Sequence, residues 1–181
     1  MKRIVLVTGP PGIGKTTIVL GVADALRKAG VATGGMLSRE VLEGGVRVGF
    51  EVLDLSTGRK GWLARVGRST GPRVGKYRVD LEGLEEVGAK AIAEAVERSN
   101  VVVVDEVGPM ELFSQEFKRS VEKALRSQKS LIGSIHWRAR DPLIEEMRSR
   151  PDARIHEVTV QNRGRMVDEI LKELTLIVLR F

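Results

Sequence analysis

Gly9-Pro10-Pro11-Gly12-Ile13-Gly14-Lys15-Thr16, with Thr17 after it, is the stretch on which the reading of this chain turns. Before it runs Ile4-Val5-Leu6-Val7, an unbroken apolar segment of the kind buried on both faces of a parallel sheet, so a strand is predicted over Lys2 to Thr8. After it, Thr16 to Ala29 carries Ile18, Val22, Ala25 and Leu26 on one helical stripe that Gly30 ends. A strand, a glycine-rich turn and a helix in that order form a phosphate-binding loop. Its glycines let backbone amides converge on phosphate oxygens at a helix N-terminus, and Lys15 can reach the β- and γ-phosphates. The hydroxyl of Thr16 suits a magnesium ion.

The second decisive stretch is Val101-Val102-Val103-Val104-Asp105-Glu106, four β-branched residues running into two carboxylates. It resembles a Walker B strand. There Asp105 would orient Mg2+ and Glu106 would polarise a water for attack on a γ-phosphate. The plainer alternative is that the two acids only begin a polar loop.

Between these stretches the pattern changes. Met36 to Val41, Val46 to Leu55 and Trp62 to Val66 are short β-like runs separated by turn residues, which predicts an antiparallel excursion. Gly67 to Asp80 holds Gly67, Gly71, Pro72 and Gly75 and reads as a loop. Beyond it, helices over Leu84 to Arg98, Gln115 to Arg126, Pro142 to Arg148 and Arg163 to Leu174 alternate with strands over Val101 to Val104, Leu131 to Ile135 and Arg154 to Val160. The fold class is therefore α/β, a mostly parallel central sheet flanked by helices.

At 181 residues the chain has room for one compact domain spanning 1–181. With 42% apolar and 30% charged residues it is too hydrophobic to be disordered. Gly9 interrupts the first apolar run before a leader core or a membrane span can form, which predicts a cytoplasmic protein without membrane contact. The absence of cysteine excludes disulfides and thiolate metal sites, leaving a hard cation held by oxygen.

The net charge of +6 is concentrated between Leu55 and Val79, where Arg59, Lys60, Arg65, Arg68, Arg73, Lys76 and Arg78 occur without an acid. Such a window attracts anions, or is simply a solvated face. Lys76 or Arg78 could swing over a γ-phosphate and neutralise charge developing there, with Tyr77 packed down on the other side. Arginine outnumbers lysine 20 to 10, a composition that hints at a thermophilic source. Met110, Leu112, Phe113 and Phe117 read as core, Gly49 as a β-bulge, His136 and Trp137 as the end of a strand at the ligand-binding edge, and Asn162 as a helix cap.

These pieces together resemble the thermophilic nucleoside-triphosphatase family, which includes a human cancer-related member. The resemblance is carried by the loop, by Arg47-Val48-Gly49-Phe50, Val74-Gly75-Lys76-Tyr77-Arg78-Val79 and Asp105-Glu106-Val107-Gly108-Pro109-Met110-Glu111-Leu112, and by Asn162-Arg163. It implies a RecA-like P-loop fold and magnesium-dependent hydrolysis of ATP, GTP and other nucleoside triphosphates to diphosphate and phosphate, with broad base tolerance. Two other readings stay open: a P-loop phosphotransferase acting on a nucleoside, a nucleotide or RNA, and a nucleotide-gated nucleic-acid-binding module suggested by the cationic window. Too few aromatics lie near that window for strand stacking, which disfavours nucleic acid as a partner. The oligomeric state is not legible, and the apolar tail over Leu174 to Phe181 is expected to dock on the sheet or at a subunit contact.

Overall fold

The computed structural model describes residues 3–178. Among them, nine strands form one sheet in the order β5-β6-β4-β3-β2-β7-β8-β1-β9. The strands are β1 (Ile4–Thr8), β2 (Thr33–Glu43), β3 (Val46–Asp54), β4 (Lys60–Arg65), β5 (Arg73–Val74), β6 (Tyr77–Val79), β7 (Val101–Val107), β8 (Ser130–Ile135) and β9 (Ala153–Glu157). Helix α1 is Lys15–Lys28, α2 covers residues 81–98 with a π-helical middle at Leu84–Ala89, and α3, α4 and α5 are Gln115–Arg126, Pro142–Ser149 and Met166–Val178.

Two apolar cores explain why the parallel strands read as unbroken hydrophobic runs. Side chains alternate along a strand, so Ile4 and Leu6 face one core while Val5 and Val7 face the other. Val102 and Val104 share the first core with α2, α3 and α4, including Phe117, whereas Val101 and Val103 share the second with α1 and α5. Neither Ile4 to Val7 nor Val101 to Val104 meets water on either face, and a polar residue at any of these positions would lose its hydration without a partner.

The pairings β1·β8, β1·β9, β7·β8 and β2·β7 are parallel, and β2·β3, β3·β4, β4·β6 and β5·β6 are antiparallel. The predicted excursion is thus not a separate layer but the outer half of the same sheet. Strand β7, which ends in the two acids, lies between β2 and β8, and a side chain has no room on either neighbour at that level. A Cβ on Gly35 would stand 2.1 Å from the Val103 carbonyl oxygen, and one on Gly133 would stand 2.4 Å from that of Val104.

The structure departs from the sequence reading in several places. Residues 67–80 are not all loop: Val74 pairs with Tyr77 across a tight turn, and Tyr77 is buried with its ring edge-on to Phe50 at 5.2 Å, so one anchored aromatic holds a hairpin that local glycine content hides. The helix before β7 begins earlier than Leu84 because Asp80 caps it, accepting a hydrogen bond from the Gly83 amide at 3.1 Å. Gly49 lies beside a register irregularity at Phe50 and Glu51, but a Cβ there would also stand 2.4 Å from the Ala64 carbonyl oxygen, so bulge and close approach coincide. Phe113 is 47% exposed rather than core, while Phe117 is fully buried and Met110 and Leu112 are partly so. Leu174 packs in the second core, which accounts for the start of the apolar tail; residues 179–181, like Lys2 in the predicted first strand, lie outside the described residues.

Candidate active site

The carboxyl ends of β1, β7 and β8 are adjacent, and the turn from β1 to α1 lies over them. Gly14, at the N-cap of α1, adopts φ 111°, a left-handed conformation that a side chain would strain, and a Cβ there would meet nothing within 4 Å. Conformation rather than crowding therefore calls for glycine, and the space above the loop stays open. The Ile18 amide already bonds the Gly14 carbonyl at 3.0 Å, so the amides that precede it at the helix start have no partner within the helix. That is the arrangement that binds phosphate.

Lys15 is buried, and its ammonium turns back over the loop. It donates to the carbonyl oxygens of Gly9 at 3.1 Å and Pro10 at 3.4 Å and lies 3.5 Å from Glu106 Oε2. Thr16 Oγ1 donates to Asp105 Oδ2 at 2.8 Å, and Ser134 on β8 donates to Asp105 Oδ1. Asp105 has no exposure at all, and burial pushes its carboxyl up to about 6 in spite of the two hydroxyl donors. Burial also raises Glu106, against the pull of Lys15. Five residues further on, Glu111 is 5% exposed, and burial followed by the charge of Glu106 pushes it up to about 8.

Three acids raised together make the nucleotide-free chain sensitive to pH. The folded form binds more protons than the unfolded one between each group's ordinary value and its folded value, so stability falls as pH rises through that window. For Glu111 the window runs from 4.5 to about 8. The nucleotide-free protein is expected to lose stability across this range, by no more than about 1.4 kcal/mol per pH unit for one group, read as a falling thermal midpoint. In Glu111→Gln the fall between about 6 and about 8 should flatten. A midpoint that rises toward pH 8 in the wild type would contradict the burial argument.

The structure brings Lys15, Thr16, Asp105 and Glu106 together, with Gly9, Pro10, Pro11, Gly12, Ile13 and Gly14 forming the turn and Thr17 exposed on the first turn of α1. It does not bring Lys76 and Arg78 there. They belong to the β5–β6 hairpin, and β6 stands six strand positions from β1, about 29 Å at about 4.8 Å per strand. Lys76 Nζ lies 5.4 Å from the Tyr77 ring centroid, and Arg78 donates to the Gly71 carbonyl at 2.9 Å. A cation nearer the loop is Arg138, just past the end of β8, stacked 4.9 Å from the Trp137 ring centroid and with no acidic partner among the described residues.

His136 ends β8 at the expected edge, but its Nδ1 accepts the Ala139 amide at 3.0 Å, so the imidazole shapes the turn. Its pKa is lowered by burial and by the neighbouring Lys15 and Arg138. Asn162 ties the turn after β9 instead of capping a helix: its side chain accepts from the Thr159 amide and donates to the Glu157 carbonyl, both at 2.8 Å. Sequence reasoning missed Ser134. Its signal was a hydroxyl in the otherwise apolar Leu131-Ile132-Gly133-Ser134-Ile135, a placement that needs a buried partner. Glu111 was quoted within a motif but given no role.

The set of groups able to hold a metal is a threonine hydroxyl and a carboxylate already at hydrogen-bond distance from each other, all oxygen, which fits a small hard cation such as magnesium. No helix among the described residues is long and apolar enough to cross a membrane.

A family model described as NTPase matches residues 4–171. The nucleoside-triphosphatase THEP1 of Thermofilum pendens is 49% identical over 176 residues, 97% of each chain. Among solved structures, the solution structure of a human cancer-related nucleoside triphosphatase superposes with a TM-score of 0.83 at 38% identity, covering 96% of this chain and 98% of that one. The crystal structure of THEP1 from the hyperthermophile Aquifex aeolicus gives a TM-score of 0.81 at 29% identity, covering 94% and 98%.

Proposed function

Because this chain belongs to the nucleoside-triphosphatase family and has the P-loop fold of its relatives, we propose that it hydrolyses nucleoside triphosphates to diphosphate and phosphate with magnesium and with little regard to the base. The observation that carries this reading is the convergence on one helix start of Lys15 with Glu106 and of Thr16 with Asp105. The loop amides and Lys15 hold the β- and γ-phosphates, the ammonium exchanging its carbonyl partners for phosphate oxygens. Thr16 and Asp105 would hold magnesium, whose contribution when bound is to neutralise charge on the phosphate oxygens. Ser134 keeps the Asp105 carboxylate turned toward Thr16.

Glu106 takes a proton from water as the water oxygen forms its bond to the γ-phosphorus. The bond from that phosphorus to the bridging oxygen breaks, and the diphosphate leaves with the electron pair. Burial raises Glu106 above the ordinary carboxylate value and so makes it a better base than an exposed carboxylate, while the adjacent Lys15 charge opposes that rise.

The test is phosphate release from ATP, GTP, CTP and UTP, with magnesium and with chelator. Release from all four within about tenfold of one another, a spread of about 1.4 kcal/mol, is expected with magnesium and none with chelator. Release confined to one base would overturn the tolerance, and release without divalent metal would overturn the roles of Thr16 and Asp105.

A further inference from the structure

The hydrolytic reading leaves one buried ionisable group without a task. Glu111 opens the one-turn 3-10 segment Glu111–Phe113 after β7, and its backbone is held on both sides: the Leu112 amide bonds the Gly108 carbonyl at 3.0 Å, and the Ser114 amide bonds the Glu111 carbonyl at 3.1 Å. Ser114 is itself fixed, donating to Glu85 at 2.7 Å and capping α3 through the Phe117 amide at 3.0 Å. A carboxyl placed this firmly, and only 5% exposed, is costly to bury unless it serves a neighbour.

The neighbour is Glu106. A Cβ on Gly108 would stand 3.0 Å from Glu106 Oε1 and 3.3 Å from Glu111 Oε2, so the two carboxyls converge on the one position where the chain has no side chain. Glu106 Oε2 meanwhile faces Lys15 at 3.5 Å. The base is thus contacted on one oxygen by the phosphate-binding lysine and approached on the other side by Glu111.

We propose that Glu111 is a positioning residue for hydrolysis, its buried carboxyl fixing the Glu106 carboxylate from across Gly108 in the orientation that activates water. The inference rests on the role of Glu106 proposed above. Burial, and then the charge of Glu106, pushes the Glu111 carboxyl up to about 8, so its protonated form can stand beside Glu106 as a hydrogen-bond donor rather than as a second charge. A glutamate has three side-chain torsions to lose, and a base that wanders by about 1 Å forfeits up to about 100-fold in rate.

Three variants test this. Glu111→Met fills the same space without a polar group, and replacing a buried polar residue by an apolar one of similar size is often neutral for folding. It should lower kcat by about 10- to 100-fold while nucleotide affinity stays within about threefold. Glu111→Gln keeps a neutral donor and should recover kcat to within about threefold of wild type. In a Glu106→Gln background, Glu111→Met should cost nothing more, because groups acting as one unit are not additive. Wild-type kcat in Glu111→Met, a Glu111→Gln as slow as Met, or a full further loss in the double variant would each overturn the inference. If the Met chain fails to fold, Glu111→Gln decides alone, and kcat below a tenth of wild type counts against it. Full activity in Glu106→Gln would instead overturn the hydrolytic reading itself.

Discussion

Lys15→Ala is expected to lose tight nucleotide binding. The ammonium is buried, directed by two carbonyl oxygens and a carboxylate, and already stands where a polyphosphate would lie. Truncating one member of a buried, hydrogen-bonded charge pair costs about 2 to 5 kcal/mol. The dissociation constant should therefore rise by about 30- to 5000-fold, as read by titration with a fluorescent nucleotide. The loss should be the same for adenine and guanine nucleotides, since Lys15 addresses only the phosphates. Retained wild-type affinity would mean that the loop does not bind phosphate, and with it would go every role assigned to Thr16 and Asp105.

Glu106→Gln should do the opposite: bind nucleotide and fail to turn it over. The amide keeps the size of the side chain but cannot take a proton from water. General-base catalysis contributes about 10² to 10⁴ in rate. Single-turnover phosphate release should slow by that factor while affinity is not weakened, since Lys15 is freed from its carboxylate partner. A variant that hydrolyses at the wild-type rate would place the base elsewhere.

What the sequence revealed follows from how far each interaction reaches along the chain. The loop is local: eight consecutive residues between a strand and a helix, so its position was legible to within a residue. Strands β1 and β7 were legible because burial on both faces leaves no polar interruption from Ile4 to Val7 or from Val101 to Val104. The lateral order of strands has no such local trace. Lys76 and Arg78 share a cationic window with glycines, a pattern that suits a phosphate-closing loop, and only the order of the sheet shows that β6 stands at the far side from β1. Ser134 and Glu111 illustrate the same limit. Ser134 meets Asp105 across 29 residues of chain, and the place of Glu111 beside the base depends on the turn at Gly108. The β5–β6 hairpin was hidden because its strands are two and three residues long, too short for any alternation to register.

The glycines that flank the acid-bearing strand have a meaning for how this family can vary. Gly35 and Gly133 carry no side chain that could bind a phosphate or a metal, yet a single added methyl at either would have to displace the β7 backbone just before Asp105. The accuracy of the chemistry is thus set partly by two absent side chains, and the least forgiving substitutions in the protein include ones that change nothing a substrate could feel directly.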